Sequence, residues 1–392
     1  MSATQEHNDK KRHLVLLGST GSIGRQTLEV LRAHPGSLQV LALAAHRNVD
    51  LLAAQAQEFK ARYVAIGDEQ LKDSPALNQF PDSVSIGFGA AAIERLATLE
   101  EADIVLNALV GAAGLRASYT TLKQGRTLAL ANKESLVVGG DLIMPLANHD
   151  TLLPVDSEHS AIYQCLLGEQ ESEVSRIWLT ASGGPFRGLT REQLALVSRE
   201  QALAHPTWLM GPKITIDSAS LMNKGLEAIE AHHLFNLDYD RIRIVVHPQS
   251  CIHSMVEYLD GSVKAHLGVT DMRIPIQFAL SYPRRWQTPL QPLDFTKVSQ
   301  LTFEEPDLER FGALRLALEA GRAGGTAPAV LNAANEVAVQ AFLVNNCGFL
   351  AIERIVAGVL EQHSVEAVSG LEQLEAVDAW ARQQALKLVS TA

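Results

Sequence analysis

The spacing of apolar residues alternates along the chain between short continuous runs and helical stripes. His13-Leu14-Val15-Leu16-Leu17 leads into Gly18-Ser19-Thr20-Gly21-Ser22-Ile23-Gly24, after which Ile23, Thr27, Val30 and Leu31 share one helical face. This pattern predicts a strand, a glycine turn and a helix. Further runs predict strands over Leu38–Ala45, Tyr63–Ile66, 104–109 and 127–131, and their alternation with helical signals predicts a parallel sheet with crossover helices. A second block carries a helix through Ile162 and Leu166, a strand over 176–180, and strands over Ile242–Val246, 251–259 and Val263–Leu267. Asp260-Gly261 between the last two is a hairpin signal. Between these, residues 214–216 read as a brief strand, and Asp217-Ser218-Ala219-Ser220 as the N-cap of a helix running toward His233. Pro289, Pro292 and Pro306 with little periodicity mark an extended linker over 288–311. The remainder predicts four helices: one over 308–320, one started by Thr326 ahead of Ala327-Pro328, one striped by Phe349, Ile352, Val356 and Leu360, and one behind a Ser369-x-x-Glu372 capping box.

The expected class is α/β: an N-terminal Rossmann-like parallel-sheet domain over 13–154, a central α/β domain over 155–287, and a C-terminal four-helix bundle over 312–392 after the linker. A chain of 392 residues is long for one domain of about 150. Hydrophobic content of 47% with 20% charged residues is that of a globular protein. The formal charge is −11 and the basic run stops at Lys10-Lys11-Arg12, so the footprint of a nucleic-acid binder is missing. An anionic ligand must therefore be met by local positive groups. The three cysteines, Cys165, Cys251 and Cys347, are far apart and odd in number, which fits a reducing cytoplasm rather than a disulfide framework. Residues 1–12 are polar and read as a disordered tail. Asn107, Asn332 and Glu336 interrupt the longest apolar stretches, so no membrane span is expected.

Three patterns carry chemistry. Glycines at the first turn let the backbone approach a pyrophosphate whose charge a helix N-terminus favours; the spacing is GxxGxxG rather than GxGxxG, and a tight turn without a ligand is the alternative. The second strand ends in His46-Arg47-Asn48, where Arg47 in place of an acidic residue suits the 2′-phosphate of NADPH or is simply solvated. Further along, Asp156 and Glu158 are two residues apart; on an extended backbone both face one side, and with Glu227 they offer the oxygen ligands of Mg²⁺ or Mn²⁺. Asn223 and Lys224 share a helical face with Glu227, an arrangement suited to a phosphate beside a metal. The alternatives are an acidic turn after Pro154 and a capped surface helix. Ser182-Gly183-Gly184 is a candidate anion nest or a plain turn. Residues 198–212, with His205, Trp208 and Met210, read as a lid. His247, His253 and His266 read as structural, because Pro248 interrupts any shared face, and His232 and His233 point apart.

Val155-Asp-Ser-Glu-His-Ser160, Thr180-Ala-Ser-Gly-Gly-Pro-Phe186 and the stretch from His205 to Glu227 closely resemble the motifs of the 1-deoxy-D-xylulose 5-phosphate reductoisomerases, and the likeness covers nearly the whole chain. The resemblance implies an NADPH- and Mg²⁺- or Mn²⁺-dependent rearrangement and reduction of that sugar phosphate. It implies a nucleotide site at Thr20, Gly21, Ser22, Ile23, His46, Arg47, Asn48, Asn132, Glu134 and Gly211, and metal ligands Asp156, Glu158 and Glu227. The substrate would meet Lys133, Ser157, Glu158, Ser182, His205, Trp208, Met210, Ser218, Asn223 and Lys224, with Lys133, Glu158 and His205 catalytic and with the phosphate at Ser182, Ser218, Asn223 and Lys224. The family commonly carries Gly-Lys-Asn where this chain has His46-Arg47-Asn48. The resemblance also implies a homodimer formed through the second sheet. Two other readings compete: an NADP-dependent dehydrogenase of another carbonyl metabolite, which leaves three carboxylates and a phosphate site without a task, and a non-catalytic nucleotide sensor, which leaves the lid unexplained.

Overall fold

The computed structural model describes residues 11–390. Of the expected tail, residues 1–10 lie outside the described residues; Arg12 is already part of β1 (Arg12–Leu17), its guanidinium donating to the Leu280 carbonyl at 2.6 Å. With β2 (Leu38–Ala45), β3 (Tyr63–Ile66), β4 (Ser85–Phe88), β5 (Ile104–Asn107), β6 (Thr127–Leu130) and β7 (Leu152–Pro154) it forms a parallel sheet in the order β4-β3-β2-β1-β5-β6-β7. The connections carry α1 (Ser22–Ala33), α2 (Val49–Phe59), α3 (Ala90–Ala97), α4 (Leu115–Lys123) and α5 (Glu134–Ile143). Strand order reverses between β1 and β5, which opens a crevice at their carboxyl ends, where such sheets receive ligands. The strands expected for this sheet are all present. β4 and β7 are additions at the two edges, where short strands with mixed or Pro-ended sequences give little signal.

After α6 (Ser157–Leu166), a second sheet joins β8 (Val174–Ala181), β9 (Ile242–Val246), β10 (Ile252–Tyr258) and β11 (Val263–Leu267) in the order β11-β10-β8-β9. Asp260-Gly261 closes the β10–β11 hairpin as expected. The helices α7 (Arg191–Leu194), α8 (Arg199–Leu203), α9 (Pro212–Ala219) and α10 (Met222–Phe235) follow β8, and α11 (Arg273–Ser281) follows β11. Ile162 of α6 and Ala228 and Ala231 of α10 pack with Ile177, Leu179 and Val256 of this sheet.

The expected strand over 214–216 is instead the middle of α9. Pro212 opens that helix, at a position where its missing N–H costs nothing, and Thr215 satisfies its hydroxyl on the Gly211 carbonyl four residues back at 2.8 Å. Asp217 and Ser218 therefore lie inside α9 and do not cap the next helix. α10 begins after Leu221, whose φ of 60° makes the sharp turn between the two.

Four helices close the chain: α12 (Gly312–Ala323), α13 (Ala327–Leu343), α14 (Phe349–Leu360) and α15 (Leu371–Val389). Their core is continuous with the preceding elements, since Leu314, Val330, Ile352 and Ala381 share one cluster with Ile216, Met222, Leu226 and Ile229. The expected capping box at Ser369 is absent. Gly370 is the cap residue, and the Ser369 amide and hydroxyl bond Gln373 Oε1 instead, at 2.7 and 2.9 Å. Among the described residues no helix is long and apolar enough to cross a membrane.

Candidate active site

At the nucleotide end, Gly18 turns the chain at φ +87°, so close to β5 that a Cβ there would lie 2.4 Å from the Ala108 carbonyl oxygen. A Cβ on Gly24 would meet the Gly18 oxygen at 2.2 Å. Gly21 is the cap of α1 and no side chain caps that helix, so its first amides remain available to an anion. Asn132 and Glu134 lie buried at the β6 end: Asn132 Nδ2 donates to the carbonyls of Leu109 (2.9 Å) and Gly111 (2.8 Å) and to Glu134 Oε2 (3.1 Å). His46, Arg47 and Asn48 follow β2. Asn48 caps α2 by accepting from the Leu51 amide at 3.2 Å, while exposed Arg47 pairs with Asp68 at 2.8 Å.

One cavity runs from this turn into the second sheet. Ser22 and Ile23 line one end; Lys133, Asp156, Ser157, Glu158, Ser182, His205, Trp208, Met210, Gly211, Ser218, Asn223, Lys224 and Glu227 line the rest. Thr20, Gly21, His46, Arg47, Asn48, Asn132 and Glu134 are not part of its wall and stand along the strand ends instead.

The three carboxylates converge, but not on an extended backbone. Asp156 is the cap residue of α6 and Glu158 sits in its first turn. Asp156 makes no capping bond; its carboxylate turns to Lys133 Nζ. One oxygen from each of Asp156, Glu158 and Glu227 lies within 4.8 Å of the others. An all-oxygen donor set of this kind, largely buried, suits a hard divalent cation. Asn223 Nδ2 donates to Glu227 Oε1 at 2.5 Å, confirming the shared helical face, and Lys133 Nζ donates to Glu227 Oε1 (3.0 Å) and Asn223 Oδ1 (2.8 Å). Lys224 Nζ bridges Glu227 and Glu158, the latter at 2.6 Å.

Burial and then the Glu227 charge push the Glu158 carboxyl up to about 7. Burial acts likewise on Asp156, but the Lys133 ammonium overrides it and holds that carboxyl below its ordinary range. Lys133 moves the other way: burial opposes its charge, and Asp156 and Glu227 raise it well above a normal lysine. Each of the Asp156 and Lys133 charges thus favours the other.

At the far end, Gly183 and Gly184 take φ of +82° and +66°, and the Gly184 amide bonds Ser182 Oγ at 3.2 Å. His205 Nδ1 accepts from the Trp208 amide at 3.0 Å, so its other nitrogen carries the proton and faces Ser182 Oγ at 3.0 Å. Burial lowers the basicity of His205. The expected lid resolves into α8 and the loop 204–211; the Trp208 ring lies tilted beside that of His253, centroids 6.2 Å apart, and Leu209 is 98% exposed.

His253, expected to be structural, also lines the cavity, with Ser250 and Ile252, which the sequence had not singled out. Their signal is the antiparallel pairing of β10 with β8, which brings the start of one strand beside the Ser182 end of the other and is invisible without the register. His159 and Glu230 were missed as well. His159 Nε2 bonds the Glu227 carbonyl at 2.9 Å, and its Nδ1 lies 3.2 Å from Glu230 Oε2, both side chains fully buried. They brace the helical turn that carries Glu227.

A nucleotide-type parallel sheet whose glycine turn opens into a cavity walled by three carboxylates and two lysines defines a two-part α/β enzyme site for a reductant and a metal-bound anion. The family comparisons agree. Profiles described as 1-deoxy-D-xylulose 5-phosphate reductoisomerase match residues 14–140 and, as two C-terminal domains of that enzyme, 152–235 and 267–384. The chain is 52% identical over 376 residues to the reductoisomerase of Moorella thermoacetica, covering 95% of this chain and 97% of that one. It is 53% identical over 378 residues to that of Chlorobium chlorochromatii, covering 95% and 98%. The Zymomonas mobilis structure in complex with NADPH superposes with a TM-score of 0.89 at 47% identity, covering 98% of this chain and 100% of that one. A reductoisomerase structure in complex with NADPH, fosmidomycin and magnesium gives 0.89 at 40% identity, covering 96% and 98%. The chain belongs to the 1-deoxy-D-xylulose 5-phosphate reductoisomerase family.

Proposed function

We propose that the chain rearranges and reduces 1-deoxy-D-xylulose 5-phosphate to 2-C-methyl-D-erythritol 4-phosphate, with NADPH as reductant and Mg²⁺ or Mn²⁺ as metal, in isoprenoid precursor synthesis by the non-mevalonate route. The observation that carries this reading is that Ser22 and Ile23 of the glycine turn and the Asp156–Glu158–Glu227 cluster line the same cavity. Asp156, Glu158 and Glu227 hold the metal, which supplies Lewis-acid stabilisation of charge on substrate oxygens. NADPH supplies the hydride, bound at Thr20, Gly21, Ser22, Ile23, His46, Arg47, Asn48, Asn132, Glu134 and Gly211.

The remaining work belongs to the protein. Lys133, anchored by Asp156, Asn223 and Glu227, orients the substrate oxygens and holds a proton at its Nζ beside them. Ser157 and Glu158 contact the same oxygens. Ser182, Ser218, Asn223 and Lys224 receive the phosphate, whose binding energy helps close the lid. His205, Trp208 and Met210 then cover the site and exclude water. In this reading residues 13–154 form the nucleotide domain, 155–287 the catalytic domain, 288–311 a linker and 312–392 a helical domain. The protein acts in the cytoplasm as a homodimer paired through the second sheet.

The test is NADPH oxidation by the purified protein given 1-deoxy-D-xylulose 5-phosphate, with Mg²⁺ or Mn²⁺ and again with a chelator. Oxidation that requires the metal supports the reading. Bound NADPH without oxidation overturns it.

A further inference from the structure

A closed circuit of polar contacts lies outside the carboxylate cluster and joins the lid to the nucleotide face. Both flanks of the 204–211 loop rest on α13. Upstream, Arg199 on α8 donates to the Leu343 carbonyl at the end of α13 at 3.1 Å. Downstream, Asn335 of α13 donates to Asp217 Oδ1 on α9 at 2.8 Å. The other Asp217 oxygen lies 2.9 Å from Lys213 Nζ, and the same ammonium meets Glu134 Oε1 at 2.8 Å. Glu134 continues through Asn132 to the carbonyls of Leu109 and Gly111. Glu336 completes the loop: its Oε1 accepts from the Ala112 amide at 3.1 Å, and its Oε2 pairs with Arg382 of α15 at 2.7 Å.

Lys213 is the direct link in this circuit between the lid-bearing helix and the nucleotide face; the other route passes through α13. Lys213 follows Gly211 by two residues, and it is absent from the cavity wall. Its two partners are nearly buried, Glu134 at 7% and Asp217 at 1% exposure. Removing the ammonium would leave two buried carboxylates facing each other, which makes the contact costly to break and keeps Glu134 and the first turn of α9 together.

We propose that Lys213 is a positioning residue that couples the nucleotide site to the lid, by fixing Glu134 to the start of α9 so that occupation of the nucleotide site sets where the 204–211 loop begins to close. The α13 helix is then the frame on which both flanks of the lid and the nucleotide loop are mounted. This rests on the functional reading above, in which Glu134 lines the NADPH site and 204–211 covers the substrate.

The experiment uses the full chain, as parent, Lys213→Gln, Lys213→Arg and Asn335→Ala. Chymotryptic cleavage at Trp208 and exposed Leu209 is followed with and without NADPH, alongside NADPH affinity and the kcat and KM for 1-deoxy-D-xylulose 5-phosphate. In the parent, NADPH slows the cleavage. Lys213→Gln is expected to bind NADPH yet lose that protection, with KM for the sugar phosphate raised on the order of tenfold and kcat changed less. Lys213→Arg restores protection. Asn335→Ala, which cuts the circuit on the other side of Asp217, reduces it. Full NADPH-dependent protection in Lys213→Gln, or in Asn335→Ala should the first variant not fold, overturns the coupling. So does a parent that binds NADPH with no change in cleavage, or a loss in Lys213→Gln that tracks its melting temperature and is not rescued by arginine. A parent that neither binds nor oxidises NADPH would refute the functional reading itself.

Discussion

Glu227 is the residue on which the polar contacts of the cavity converge. Its side chain is 1% exposed and accepts from Lys133, Asn223 and Lys224. Glutamine has the same shape but turns an acceptor into a donor facing two ammonium groups, and it removes one anionic oxygen from the proposed metal ligand set. Glu227→Gln is therefore expected to lower turnover on the order of a hundredfold or more and to leave NADPH affinity unchanged, since none of the side chains proposed to hold the nucleotide bonds it. Steady-state kinetics with a nucleotide titration check this, and near-parent turnover would remove Glu227 from the ligand set. Arg47 poses the opposite case. Its bond to Asp68 is at the surface, with the Arg47 side chain 71% exposed, and exposed pairs hold little free energy. The guanidinium can thus leave Asp68 for a 2′-phosphate at small cost. Arg47→Ala is expected to weaken NADPH by about tenfold or more, the worth of a charge-assisted hydrogen bond, and NADH far less. Equal losses for the two nucleotides would take Arg47 out of the 2′-phosphate site.

At the scale of elements, the glycine turn is the tightest constraint. An alanine methyl at Gly24 would lie 2.2 Å from the Gly18 carbonyl oxygen and 2.5 Å from Ser19 Cα. These are backbone atoms that cannot swing aside, so the turn itself must open. Gly24→Ala is expected to cost about 1–3 kcal/mol of stability and to weaken NADPH while sparing metal affinity; thermal melts with and without nucleotide read both effects. The turn was legible because strand, glycines and helix are contiguous in sequence. The same holds for the i,i+4 pair of Asn223 and Glu227, which needed only the helix to be seen. Elsewhere local signals misled. Ile214-Thr215-Ile216 has strand composition, yet Pro212 and the packing of Ile216 into the C-terminal core make it a helix. Asp156 and Glu158 do lie together, but at a helix start and not on the extended backbone expected. Lys213, His159 and Glu230 gave no signal at all, because their partners are brought to them by elements far along the chain.

At the scale of the whole molecule, α10 meets α5 at a seam between the parallel-sheet part and the rest of the chain. There the His233 ring sits so close to Gly140 that a Cβ on that glycine would lie 2.3 Å from it. Burial, then the neighbouring His232, lower His233 to about 4 against the ordinary 6.5, with Asp141 opposing them from 4.0 Å. His253 in the cavity wall is likewise lowered to about 4, by burial and by His266. Both imidazoles are neutral in the folded protein at neutral pH and become protonated in the unfolded chain below about 6.5. Through these two groups the unfolded state binds more protons across the interval from about 6.5 down to about 4, and their contribution to stability falls as pH falls through it, while the raised Glu158 carboxyl acts in the opposite sense. Each pH unit of such a gap corresponds to about 1.4 kcal/mol, so His233 alone accounts for a loss on the order of 3 kcal/mol across the interval. Denaturant unfolding at a series of pH values is expected to show this decline. His233→Gln, which keeps a polar side chain without the charge change, should remove the His233 share of the slope and leave that of His253 and the other buried imidazoles. A variant with the parent's full acid slope would place the sensitivity elsewhere than this seam. The α10 helix that carries His233 also presents Asn223, Lys224 and Glu227 to the cavity, so loosening the seam displaces three polar groups of the site together. The same pH series read by metal-dependent NADPH turnover should therefore lose activity in the parent before global unfolding, and later in His233→Gln.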